Sequence, residues 1–154
     1  NGEDREARRN MMIASTIGGM AFISSNVGAV HAFAETVGAW FDTPHGVANS
    51  LFLPYIMEFN IPACPERFAD IADAMGIERE ESMSDEQYAL KAVEYVKALN
   101  RKLNIPTIKE IKGITEERFE AIAERSANNV LSNDNARKIT KEDYLELLKK
   151  AYNE

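Results

Sequence analysis

A chain of 154 residues, 45% of them hydrophobic, is long enough for one globular domain with its own core, and its single cysteine, Cys64, excludes a disulfide framework or a cysteine-rich zinc module. Eighteen basic against 25 acidic side chains leave a net charge of −7, which argues against nucleic acid or an anionic membrane as partner, since both need a basic face. No apolar run reaches the roughly 18 residues of a transmembrane helix, and the opening Asn1-Gly2-Glu3-Asp4-Arg5 has no basic region leading into an apolar stretch, so neither membrane span nor signal peptide is expected and a soluble, reducing, cytoplasmic setting is.

Taken in chain order, residues 4–23 read as one helix. Its second half is apolar nearly all round (Met11, Met12, Ile13, Ile17, Met20, Phe22), which predicts burial on most sides, with Gly18-Gly19 as a close packing contact. Residues 27–40 are again apolar and small, and Phe41-Asp42-Thr43-Pro44 reads as a turn with proline at the next helix start. From His45 to Phe59 the spacing is helical, and Pro54 should kink that helix or end its regular part. Pro65 opens a short helix that Gly76 closes, and Ser84-Asp85-Glu86-Gln87 is a capping box ahead of an apolar face from Tyr88 to Leu103. Thr115-Glu116-Glu117 and Thr140-Lys141-Glu142-Asp143 start the last two helices, with an irregular connection between them marked by Asn128, Asn129, Asn133, Asp134 and Asn135. No β-alternating stretch is present, so the fold expected is all-α: a bundle-like single domain over 1–154 of about six or seven helices.

The sequence has no strand followed by Gly-x-Gly-x-x-Gly, no phosphate loop and no nucleophile elbow, and Cys64 reads as a structural or incidental thiol. Its two histidines carry more information. His31 and His45 stand fourteen residues apart on either side of the Phe41–Pro44 turn, which allows both imidazoles to reach one point. Imidazole is the commonest neutral ligand of borderline divalent metals, and Glu35, four residues after His31, shares its helix face. A site of His31, Glu35 and His45 is one reading; a packed, hydrogen-bonded histidine pair in a non-catalytic interaction module is the other. Phe22, Phe33 and Trp40 read as core residues rather than pocket walls.

Longer motifs surround the histidines: Asn10-Met11-Met12-Ile13-Ala14-Ser15, Gly19-Met20-Ala21-Phe22, Gly28-Ala29-Val30-His31-Ala32, Thr43-Pro44-His45-Gly46-Val47-Ala48-Asn49, and Leu53-Pro54-Tyr55-Ile56-Met57-Glu58-Phe59-Asn60. On these, the stretch from Arg8 to Asn60 resembles the iron-containing (group III) alcohol dehydrogenases, and the remainder is similar to that family's helical C-terminus in order and length. The resemblance implies the all-helical C-terminal domain of the dehydroquinate synthase-like fold, with the metal-site-bearing part in 1–60 and peripheral helices in 61–154. It implies an N-terminal α/β domain for NAD(P), of which no trace is present, so the chain looks like about the last two-fifths of such an enzyme. It also implies a divalent metal, Fe(II) first and zinc as a substitute, held by one Asp and three His. His31 and His45 match two of those ligands; the others, an Asp-x-x-x-His pair, have no match here. Glu35 stands where many members carry a further histidine that relays protons near the nicotinamide, and a carboxylate can do acid–base work. Phe22 matches an aromatic position that lines the substrate pocket. The implied activity is hydride exchange between a small alcohol or aldehyde and a nicotinamide, with glycerol dehydrogenase and maleylacetate reductase relatives as alternatives. The implied partners are that substrate and the N-terminal domain; assembly with further copies of the chain stays open.

Overall fold

The computed structural model describes residues 2–154, and among them all regular structure is helical. Seven α-helices follow one another: α1 (Arg5–Ser25), α2 (Ala29–Phe41), α3 (His45–Asn60), α4 (Pro65–Ala74), α5 (Asp85–Lys102), α6 (Phe119–Ala127) and α7 (Lys141–Asn153). Short 3-10 turns at Ile61–Ala63, Ile108–Glu110, Glu116–Arg118 and Val130–Asp134 join them. The sequence-predicted caps form. Ser84 Oγ accepts from Gln87 N at 3.2 Å while Gln87 Oε1 accepts from Ser84 N at 3.0 Å, satisfying two orphan donors at the start of α5. Thr140 and Asp143 do the same for α7. Gly76, at φ 72, turns the chain out of α4 in the left-handed region that favours glycine.

α3 is the shared spine. One face joins α2, α6 and α7 in the larger core, around Phe33, Phe52, Ile122, Tyr144 and Leu148; the other, through Met57 and with Ile61 of the 3-10 turn that follows, meets α4 and α5 at Ala72, Tyr88, Ala92 and Val93. Residues beyond 60 therefore supply much of the core that holds α2 and α3. Pro54 does not end α3. Lacking an N–H, it leaves the Ser50 carbonyl without its helical partner, and Asn100 Nδ2 from α5 donates to that oxygen at 2.6 Å. Thr115 starts only a 3-10 turn; regular α-helix begins at Phe119, which is buried in the larger core.

Two expectations about packing fail. α1 forms, capped by Asp4, but none of its residues is buried: Met12 is 72% exposed, Ile17 61% and Ile23 80%. Gly18 and Gly19 have open space where a Cβ would point, so they make no close helix contact here. Trp40 is also not core. It is 39% exposed, with the Arg125 guanidinium 5.5 Å above its ring. Phe33, in contrast, is fully buried as expected.

Candidate metal centre

The chain brings its two histidines together by a sharp return between α2 and α3. Asp42, at φ 51, ends α2 in the left-handed region, and Pro44 then sets up the first turn of α3 with φ −54 and ψ 133. The return is tight: a Cβ on Gly38 would stand 3.2 Å from the Thr43 carbonyl oxygen, so glycine at 38 gives the chain the room it needs. His31 lies in the first turn of α2 and His45 is the first residue of α3. Their rings sit with centroids 5.2 Å apart and planes tilted by 54°. The convergence expected from the spacing is what the fold produces.

Electrostatics favour the neutral imidazole at His31. Burial lowers the His31 pKa, His45 lowers it further, and Glu35 pulls the other way. Asn49 Nδ2 donates to the His45 carbonyl at 2.9 Å and lies 3.1 Å from His45 Nε2, so that nitrogen keeps its lone pair and accepts. Asn49 Oδ1 is buried without a partner. Two imidazoles brought this close are a donor type that a borderline divalent ion takes. An ion on His45 Nε2 would displace the Asn49 amide, and the surroundings fit such an ion in donor type, though not in donor number. Among the described residues, no group of three or more His, Cys, Asp or Glu side chains could hold a metal.

The three-residue site of His31, Glu35 and His45 is therefore not formed. Glu35 is exposed and its Oε2 accepts from Asn129 Nδ2 at 2.7 Å, which turns the carboxylate toward the loop after α6. There it lines an open groove of about 580 Å³ with Thr36, Trp40, Arg125 and Asn128. A second depression, of about 360 Å³, opens beside His31 and is walled by Val27, Val30, Asn49 and Leu53. Phe22 borders neither; at 52% exposure on α1 it is not a core residue either. Sequence reasoning missed Asn49 and Asn129. Asn49 could have been found, because it follows His45 by four residues on the same face. Asn129 gave no signal, since its partner Glu35 is 94 positions away.

A pH dependence follows from the His31 environment. A histidine whose folded pKa lies below its ordinary 6.5 binds more protons unfolded than folded in the window between the two values. Stability should therefore rise with pH through that window, level off above it, and fall as acid charges His31 beside His45. Urea midpoints measured from pH 5 to 8 should show this rise, and His31→Gln should flatten it. A slope that survives the substitution would assign it to other groups.

Comparisons with known proteins bear on this pair. The model of the "Fe-containing alcohol dehydrogenase family, C-terminal" matches residues 1–152. Lactaldehyde reductase of Escherichia coli (strain K12) is 38% identical over 149 residues, covering 97% of this chain and 39% of that protein. The NAD-dependent methanol dehydrogenase of Bacillus methanolicus is 34% identical over 151 residues, covering 98% of this chain and 39% of that protein. The solved alcohol dehydrogenase from Oenococcus oeni superposes with a TM-score of 0.92 at 40% identity, over 99% of this chain and 39% of that one. The chain thus spans about two-fifths of the length of these relatives.

Proposed function

Because this chain belongs to the iron-containing alcohol dehydrogenase family, as its C-terminal domain, we propose that His31 and His45 are two ligands of a divalent metal, iron first and zinc as substitute, in an NAD(P)-linked alcohol dehydrogenase. The observation that carries this reading is the approach of the two rings to 5.2 Å. The substrates of the named relatives, lactaldehyde and methanol, point to a short alcohol or aldehyde. Bound at the pair, such a metal supplies Lewis acidity toward an alcohol or carbonyl oxygen, and a nicotinamide supplies hydride exchange.

The chain's own residues have distinct parts in this. His31 and His45 present their imidazoles from two helices packed on one core. Val27, Val30 and Leu53 wall the depression beside His31 with apolar groups that exclude water from a small substrate. Phe22 would join that wall from α1 once the rest of the enzyme folds α1 inward. Glu35 has Oε2 held by Asn129, which leaves Oε1 to hold or pass a proton one helical turn from His31. The exposed apolar surface of α1 fits a face meant to be covered by the nucleotide-binding part of the enzyme.

The test is metal content in an enzyme that includes these residues together with its nucleotide-binding part. His31→Ala and His45→Ala should each weaken Fe(II) or Zn(II) binding by about 100-fold or more, because even residues that only support metal ligands cost 10–100-fold. A double variant that keeps its full complement of metal after dialysis would refute the assignment. In the same enzyme, Glu35→Gln should lower turnover and remove one limb of the pH–rate profile. An unaltered profile would leave Glu35 as no more than the partner of Asn129.

A further inference from the structure

We propose that the adjacent side chains of Asp134 and Asn135 form a clasp that sets where His31 stands relative to His45, which makes Asn135 above all a positioning residue for the pair. The helix carrying His31 lacks a capping side chain of its own, because its N-cap is Gly28. The cap comes from far along the chain. Asn135 Oδ1 accepts from Ala29 N at 3.3 Å, doing for the first turn of α2 what a serine or aspartate at the N-cap usually does. The same amide is paired reciprocally with Asn60: Asn60 Nδ2 donates to Asn135 Oδ1 at 3.1 Å, and Asn135 Nδ2 donates to Asn60 Oδ1 at 2.7 Å. Asn60 is the last residue of α3, the helix that begins with His45, and is 7% exposed. One side chain therefore ties the start of the His31 helix to the His45 helix. A further bond from Asn135 Nδ2 to the Arg137 carbonyl, at 2.7 Å, fixes which way the amide faces.

Gly28 is explained by the same contact. A Cβ there would stand 3.0 Å from Asn135 Oδ1 and 3.2 Å from its Cα, so only glycine lets the amide come so close to the helix start. On the other side of the α1–α2 joint, Asp134 Oδ2 accepts from Asn26 Nδ2 at 2.7 Å. Asn26 has φ 60, and the two helices bend there by 109°. Asp134 and Asn135 thus hold the joint at Asn26 and at Ala29, two residues ahead of His31. Removing the clasp leaves the first turn of α2 without its hydrogen-bonded link to α3, and the imidazole on that turn shifts against the core that holds the rest of the helix.

This inference rests on the metal reading only for its functional consequence, and the experiment separates the two. The chain has two histidines, so the ring-to-ring nuclear Overhauser cross-peak between them is unambiguous. In the unsubstituted chain it should be strong, as the 5.2 Å centroid distance requires. In Asn135→Ala it should be lost, and in the enzyme that includes the nucleotide-binding part the same substitution should lower Zn(II) affinity about 10–100-fold, the range for groups that orient metal ligands. Asn60→Ala, which leaves the cap but unhooks it from α3, should lose the cross-peak as well. Should Asn135→Ala fail to fold, Asn60→Ala decides in its place. A full cross-peak in the alanine variants, with only a lowered melting temperature, overturns the proposal and leaves the amide pair a plain stabilising contact. If the cross-peak changes as expected but the enzyme that includes the nucleotide-binding part keeps its metal in the His31→Ala, His45→Ala double variant, the clasp stands and the metal reading falls.

Discussion

Phe33→Ala should destabilise the domain by about 3–5 kcal/mol, the usual cost of removing a fully buried aromatic ring. The ring is 0% exposed and lies where three helices meet: it stacks on Phe52 of α3 with centroids 4.2 Å apart and receives the edge of Tyr144 of α7 at 4.7 Å. Alanine would forfeit the transfer free energy and both aromatic contacts, and leave a cavity between helices held by their other contacts. The site cannot collapse easily. Tyr144 is anchored by a hydrogen bond of 2.6 Å between its hydroxyl and Ser132 Oγ, which in turn donates to the Ser126 carbonyl at 2.7 Å. Burial pushes the Tyr144 phenol up to about 12, so it stays a neutral hydrogen-bonding group at every pH at which the domain is handled. Urea unfolding of the variant measures the loss directly. A cost below about 1 kcal/mol would mean that α2, α3 and α7 can slide together, against the close packing expected of such a core.

Phe33 and Trp40 show why core membership was only partly legible in the sequence. Both lie in one apolar stretch, yet the first is wholly buried and the second is 39% exposed under Arg125. Periodicity says that a helix has an apolar side; it does not say how far along the helix the neighbouring element extends. The caps were legible because they are local: Ser84 with Gln87, and Thr140 with Asp143, act within four residues. The convergence of His31 and His45 was legible for a related reason, since a short turn joins their helices. The contacts that orient the site were not. Glu35–Asn129 and Ala29–Asn135 join residues about a hundred positions apart, and nothing in either segment announces the other. α1 was misread for a different reason. A helix apolar on all sides must be covered, but the pattern does not say whether the cover lies in the same 154 residues.

That uncovered helix bears on what these 154 residues should do alone: fold as a helical domain, bind metal weakly, and turn over no alcohol. Folding does not need α1, because both core clusters are built from later elements. Metal binding should be weak because, among the described residues, no third His, Cys, Asp or Glu joins the two imidazoles, and affinity depends on ligand number and on a supported geometry. Turnover should be absent because the sequence holds no nucleotide-binding loop for the hydride carrier. Exposed Met11, Met12, Ile17, Met20 and Ile23 on one helix should also drive the isolated chain to self-associate. Calorimetric titration with Fe(II) or Zn(II), an NAD(P)-linked assay with short alcohols, and sedimentation velocity together test all of this. Tight one-to-one metal binding by a monomer, or turnover above background, would show that the histidine pair is already complete without further ligands. The proposed division of the metal site between this domain and the rest of the enzyme would then be wrong.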